Sequence, residues 1–297
     1  ATTADHGHGR SAAFRLVTET THRSFAMRFH EILQLSGSLE HKAQACRQAI
    51  VIPAGWGQGR AAYGGLVAAL LQTHLQQQQG EGRPLRAAHI AFIGPATVGD
   101  AVLESYLLRA GKSALQAEVR LLQGDAVVAT LQATFGADRA SQLNEPAPTR
   151  PTMKAPEDCA ALPYMAGLMP EFTQHFDMRW SEGGLPFSGH ASANMKGWIR
   201  LRETADAGAI DPALVLALVD AWPPSVVARC NGPANLSTMT WAVGYRPVTE
   251  ALSADGWWAY QADTLSCSDG YAHIRSTLWT PAGEAIAVSQ QTVAVFY

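Results

Sequence analysis

Apolar and polar positions along the chain fall into two similar series, each a short apolar helix followed by alternating strands. In the first, Leu66, Ala69, Leu70 and Thr73 recur at helical spacing, which predicts a helix starting at Gly64-Gly65 and fading in the polar run 76–79. The residues from Phe29 up to those glycines read as β-like and then glycine-rich. Strand patterns follow at 89–92, 101–109, 113–123 and 126–135, the last two separated by Gly124-Asp125, a turn of hairpin type. Pro146, Pro148, Pro151 and Pro156 then mark a polar linker.

The same order returns beyond it. Strand-like stretches at 172–180 and 193–202 lead to a helix over 212–222, with Asp211 as N-cap, Pro212 at the first helical position and Pro223-Pro224 as a stop. Strands follow at 236–245, 256–266, 271–279 and 284–296. The turn Pro281-Ala-Gly283 matches Gly124-Asp125, and Gln132 lies eight residues after Gly124 as Gln291 does after Gly283. Two copies of one β-helix-β4 unit account for this. The organisation expected is an N-terminal extension over 1–28, a repeat over 29–140, a linker over 141–164 and a second repeat over 165–297. Both helices are apolar nearly all round, so an α+β architecture in which curved antiparallel sheets wrap around buried helices hides them best.

Composition narrows the function classes. The 22 Lys+Arg against 25 Asp+Glu, with no basic run, point away from nucleic acid. At 47% apolar and 16% charged residues the chain can fill a substantial core, and no apolar run approaches the roughly 20 residues of a membrane span. Cys46, Cys159, Cys230 and Cys267 lie far apart without a CxxC, against both a disulfide framework and a zinc site, so a reducing, cytoplasmic setting is expected. His6 and His8 near the start read as solvated rather than as metal ligands.

One residue contradicts its surroundings. Between Pro212 and Ala228, Asp220 is the only ionisable side chain, on a helix whose pattern demands burial. A buried carboxylate costs several kcal/mol unless it has partners or a function, and apolar surroundings raise its pKa toward the range of a general base. The competing reading is an Asp exposed at the helix end. Partners would come from neighbouring strands: Thr238, Thr240 and Ala242 share one face by alternation, opposite Met239, Trp241 and Val243, and of Gln290 and Gln291 only one can face the helix. The glycines between 55 and 65 do not make a G-x-G-x-x-G, and no G-x-S-x-G is present. Paired glycines at a helix start do offer free N–H groups to an oxyanion.

Residues 58–66 (Gln-Gly-Arg-Ala-Ala-Tyr-Gly-Gly-Leu), the strand series after them, and 218–222 (Leu-Val-Asp-Ala-Trp) with Thr238 and the Gln290-Gln291 strand resemble the acyl-CoA thioesterases of the tandem (double) hotdog, thioesterase II-like type. The resemblance implies hydrolysis of acyl-CoA to acid and CoA by water held between an Asp, a Thr and a Gln. These fall on Asp220, on Thr238 with Ser237 adjacent, and on Gln291 with Gln290 adjacent. Gly64 and Gly65 would bind substrate, Gly65 donating its N–H to the thioester carbonyl. Leu66 stands where thioesterase II has Gln. No metal or redox cofactor is implied, acyl-CoA is the expected partner, and a homo-oligomer is expected. The alternatives are a non-catalytic acyl-CoA-binding hotdog protein and a hotdog hydratase or dehydratase, whose D-x-N-P-x-H pattern is missing.

Overall fold

The Arg28 backbone N–H and Nε both donate to the Glu31 carboxylate, at 3.0 and 2.9 Å, and close a single helical turn, α1 (Phe29–Ile32). This replaces the β-like start expected there, because Phe29 and Ile32, three apart, both turn into the core. The computed structural model describes residues 27–42, 45–202, 212–246 and 256–297. His6, His8 and Asp211 lie outside the described residues.

Strands β1 (Leu39–Lys42), β2 (Ala45–Ile52) and the short hairpin β3 (Gly57–Gln58) and β4 (Ala61–Ala62) precede α2 (Gly64–Gln78). After it come β5 (Leu85–Phe92), β6 (Gly99–Ala110), β7 (Ala114–Gln123) and β8 (Ala126–Gly136). The second half contains β9 (Ala160–Ala161), β10 (Phe176–Glu182), β11 (Asn194–Leu201), α3 (Pro212–Asp220), β12 (Asn235–Tyr245), β13 (Trp258–Ser268), β14 (Tyr271–Trp279) and β15 (Ala285–Phe296). Residues Glu171–His175, expected as the start of a strand, form a 3-10 turn instead, because the Thr173 hydroxyl and N–H both return to the Pro170 carbonyl.

Thirteen strands among the described residues form one antiparallel sheet in the order β1-β2-β6-β7-β8-β5-β12-β15-β14-β13-β11-β10-β9. The order is nearly palindromic about the β5–β12 pair: each repeat contributes a sheet of the same connectivity, and the two join edge to edge there. Each sheet curves around its own helix, the double hotdog architecture. Residues 65–75 of α2 and 213–219 of α3 are buried without a break; the apolar runs 66–71 and 213–219 require it, and α2 buries the polar Gln72, Thr73 and His74 as well.

Two register details alter the sequence reading. A bulge between Thr238 and Thr240 inserts one residue, so alternation changes phase there. Thr238 opposes the buried Val293, and Trp241 opposes Gln291, on the helix side; Thr240 opposes Thr292 on the outer side. Thr238 and Thr240 therefore do not share a face. Gln132 is exposed on the outer face, so it is not the counterpart of Gln291. The β7–β8 turn has two residues, whereas 280–284 separate β14 from β15, and equal counts from the two glycines reach opposite faces.

The stretch expected as a linker is docked on the sheet. Trp198 Nε1 donates to the Lys154 carbonyl and Trp279 Nε1 to that of Pro148, both at 2.8 Å, and Ala147, Met153 and Cys159 pack with these indoles on the outer face of the second repeat. Each indole end needs an acceptor where its ring is buried, and the strap supplies it. Trp279→Phe keeps the packing and removes one hydrogen bond. It is expected to cost about 1 kcal/mol in urea unfolding and to speed proteolytic cleavage within 141–156.

Candidate active site

The chain entering α2 fixes the site. Tyr63, completely buried, stacks on Phe172 (centroids 3.9 Å apart, 5° between planes), and its hydroxyl donates to the Ala217 carbonyl of α3. This ties the start of α2 to the last turn of α3. A Cβ on Gly65 would lie 2.4 Å from the Tyr63 ring, and one on Gly64 would lie 2.8 Å from Asp220 Oδ2 and 3.3 Å from Phe92. Side chains at either position would force the helices apart.

Asp220, the last residue of α3, sits in the gap so defined. Gln291 Nε2 donates to its Oδ1 at 3.0 Å, and the Gly65 backbone N–H donates to the same carboxyl. Burial pushes the Asp220 pKa from 3.8 up to about 7, against the opposing pull of those two donors. The carboxylate thus meets the favourable N-terminal dipole of α2 while standing at the unfavourable C-terminal end of its own helix.

Of the residues singled out in the sequence, Asp220, Gln291, Gly64 and Gly65 come together. Gln291 is buried on the helix side, whereas Gln290 is exposed on the opposite face. Thr238 is half-buried on the inner face of β12 opposite Val293, two residues along β15 from Gln291, and no side-chain hydrogen bond links it to Asp220. Ser237 is exposed. The Gly65 N–H, expected to meet a substrate carbonyl, faces the Asp220 carboxyl in the structure, where desolvation favours the nearest unpaired helix-start donor.

Sequence reasoning missed the polar surroundings. On the inner face beside Gln291, Ser289 meets Ser276 at 2.7 Å, and Ser276 in turn bonds Tyr260, whose ring stacks parallel on Trp222 at 5.0 Å. Tyr63 directly before the glycine pair was the one available signal for the helix tie. In the first repeat the buried polar groups include His74, held between Gln48 Oε1 and Ser105 Oγ at 2.9 Å each, its pKa lowered by burial to about 4.

The family described as acyl-CoA thioesterase N-terminal domain matches residues 52–136, and the corresponding C-terminal domain matches residues 156–295. The chain belongs to the acyl-CoA thioesterase family. Among solved structures, a hot dog fold protein of unknown function from Alicyclobacillus acidocaldarius is similar to it at 21% identity, with 91% of this chain and 98% of that one covered and a TM-score of 0.74. The acyl-CoA thioesterase II TesB2 from Mycobacterium marinum is similar at 18% identity, with 91% and 98% covered and a TM-score of 0.67. The dehydratase domain of PpsC from Mycobacterium tuberculosis, solved with C12:1-CoA, is more distant, at 12% identity, 88% and 98% covered and a TM-score of 0.55. These likenesses establish the shared fold. No curated protein matches the chain. Among the described residues of this thioesterase-family chain, no helix is long and apolar enough to cross a membrane.

The raised pKa has a stability consequence with a definite sign. Folded Asp220 keeps a proton that the unfolded chain releases, so wild-type stability falls as pH rises from about 4 to about 7 and levels off above. Asp220→Asn cannot ionise and escapes this loss, which amounts to on the order of 4 kcal/mol for a climb from 3.8 to about 7. His74 acts in the opposite sense, its stability contribution being lost as pH falls from 6.5 through about 4, but it is common to both proteins. Urea unfolding of the two at pH 5 and pH 8 should show the variant gaining on wild type at the higher pH.

Proposed function

We propose that the chain hydrolyses acyl-CoA thioesters with Asp220 as general base. The observation that carries this reading is a half-buried carboxylate whose pKa is raised to about 7, oriented by Gln291 on β15 and by the start of α2. A water held by Asp220, Gln291 and the Thr238 hydroxyl attacks the thioester carbonyl carbon while Asp220 takes its proton. The tetrahedral intermediate collapses, the C–S bond breaks, and the CoA sulfur leaves with a proton returned by Asp220. With Gly65 committed to the carboxylate, the carbonyl oxygen falls to the remaining first-turn N–H groups of α2, that of Gly64 being beside Asp220. Free CoA and carboxylic acid are the products, and CoA takes part only as a portion of the substrate.

The structure favours this over a dehydratase. That chemistry relies on a histidine, and the one buried histidine among the described residues, His74, has both ring nitrogens occupied by Gln48 and Ser105 in the other repeat. Trp222 and Trp241 are buried on the helix side, where an acyl chain would lie, whereas Met239 points outward from the bulge and has no part in chain-length selection.

Thiol release from a panel of short, long and aromatic acyl-CoAs tests the assignment. Asp220→Asn should lower kcat/KM by roughly 10²–10⁴-fold with the fold intact. Wild-type kcat/KM should rise with pH through an acid limb near 7. Gln291→Ala removes a donor that lowers the Asp220 pKa, so its limb should move to higher pH, and its loss of rate should be smaller than that of Asp220→Asn. Thr238→Ala should lower the rate without moving the limb. Binding of acyl-CoA with no thiol released from any member of the panel would identify a binding protein instead.

Gly64→Ala tests the positioning. Its methyl would displace Asp220 Oδ2, so kcat should fall at least tenfold while KM changes little.

A further inference from the structure

We infer that the acyl chain is held along the inner face of β12, and that Gln72 at the far end of this path selects chains carrying an uncharged oxygen, a ketone or a hydroxyl. The inference rests on the reading of the chain as an acyl-CoA hydrolase and adds the class of acyl group.

The pairing register marks out the path. From Gln291, which holds Asp220, the inner face of β12 runs through Trp241 and Val243 to Tyr245. It is flanked by Ile90 and Ala88 on β5 and by Ser289 and Ala287 on β15, so the floor beyond the indole is bordered by small side chains. Gly65, Ala68, Ala69 and Gln72 recur at helical spacing on one side of α2. Both ends of that side are tied to the path: the Gly65 N–H meets Asp220, and Gln72 Oε1 accepts from the Tyr245 hydroxyl at 2.9 Å. Two rulers agree on the length, because the rise of α2 from Gly65 to Gln72 is about 10 Å and the span of β12 from Trp241 to Tyr245 is about 13 Å. A chain starting at Asp220 reaches the amide after on the order of eight methylenes.

Hydrogen-bonding capacity selects the ligand. Gln72 is 1% exposed, and with its oxygen engaged by Tyr245 its Nε2 has no partner. Thr73, the next residue of α2 and also buried, leaves its hydroxyl without a partner, and so does Trp241 Nε1 on the floor. Buried donors without acceptors are destabilising, and a bound ligand that accepts from them relieves the strain. The amide nitrogen and the indole nitrogen only donate, so the ligand must bring an acceptor. Charge rules out a carboxylate. Among the described residues no Lys or Arg is buried, and His74, two positions on from Gln72, is turned to Gln48 and Ser105 with its pKa lowered to about 4. A neutral oxygen is what the site can accept: a ketone takes the Nε2 hydrogen, and a hydroxyl does the same while the Thr73 hydroxyl can receive its own.

Calorimetry with CoA thioethers, which cannot be hydrolysed, tests the selection apart from turnover. The probes are a plain alkyl chain and the same chain ending in a ketone, a hydroxyl or a carboxylate, with the oxygen about eight carbons from the sulfur. Wild type should bind the ketone or the hydroxyl at least tenfold more tightly than the plain chain, and the carboxylate no better than the plain chain. Gln72→Leu should bring the ratio of oxygenated to plain affinity close to one, and Gln72→Met, which keeps the side-chain length, should do the same. Tyr245→Phe, which releases the amide, should lower the ratio part-way. Equal affinity of wild type for plain and neutral oxygenated chains overturns the inference, and would mean that water alone satisfies the amide. A ratio unchanged in both Gln72 variants also overturns it, as does a preference for the carboxylate. The thioesters of the same chains separate the two readings: preference in binding without thiol release would remove the hydrolase and keep the selection, whereas thiol release without preference would do the reverse.

Discussion

Withdrawing the Asp220 carboxyl from water is the constraint around which the rest of the molecule is arranged. Its burial is unfavourable by several kcal/mol, and the offsets are two directed donors, Gln291 Nε2 and the Gly65 N–H. Both need sub-ångström placement, and neither lies on the helix that carries Asp220. The donor from α2 is available only because the glycine pair lets the start of that helix close on the end of α3, and Tyr63 keeps them closed through Phe172 and the Ala217 carbonyl. The amide from β15 is available only because the sheet holds that strand beside both helices. The candidate site is therefore composite: one repeat supplies the helix start, the other the carboxylate and amide. Neither repeat alone contains it, and the edge-to-edge β5–β12 pairing keeps the halves in register.

The two repeats share topology and have diverged in what their interiors hold. Where the second repeat buries an ionisable acid with two donors, the first buries His74 between Gln48 and Ser105, a neutral network with both ring nitrogens satisfied. Gln132 turns outward, and α2 carries no carboxylate at all. Repetition thus provides two similar hydrophobic shells, of which, among the described residues, the second holds the carboxylate with its two donors. The outer surfaces differ as well. The second repeat is covered by its strap near Trp279 and Trp198, while the junction between the repeats stays bare and lined by small and polar side chains.

Local pattern explains why most of this architecture could be read in the sequence. Unbroken apolar runs over 66–71 and 213–219 demand burial on all sides, and the hairpin at Gly124-Asp125 has its own turn chemistry. Asp220 stood out because it broke such a run. What escaped was non-local or depended on a single inserted residue. The bulge at 239 has no glycine to announce it, yet it decides that Thr238 and Trp241 share the inner face. The two hairpin turns differ in length, which defeats counting from Gly124 and Gly283. The engagement of Gly65 by Asp220, 155 positions along the chain, is set by the approach of two helices. The strap shows the same limit: its proline content carried no information about Trp198 and Trp279, whose indoles hold it down, nor about β9, which pairs with β10 within the stretch expected as a linker.

The raised pKa bears on both proton transfers of the proposed reaction. A carboxylate at its ordinary 3.8 would be a weak base toward water and, once protonated, would lose its proton long before a departing thiolate could claim it. A thiol has a pKa of roughly 8.5, so a group near 7 is matched to the leaving sulfur within about two units, and it is a stronger base by about three orders of magnitude than an unperturbed Asp. Deeper burial without donors would carry the pKa higher and leave the base protonated at neutral pH. Gln291 and Gly65 oppose that drift while fixing the direction in which the oxygens face. Burial and donors together set a value that neither produces alone, and the same two donors that make the carboxylate tolerable in the core hold it ready to exchange a proton.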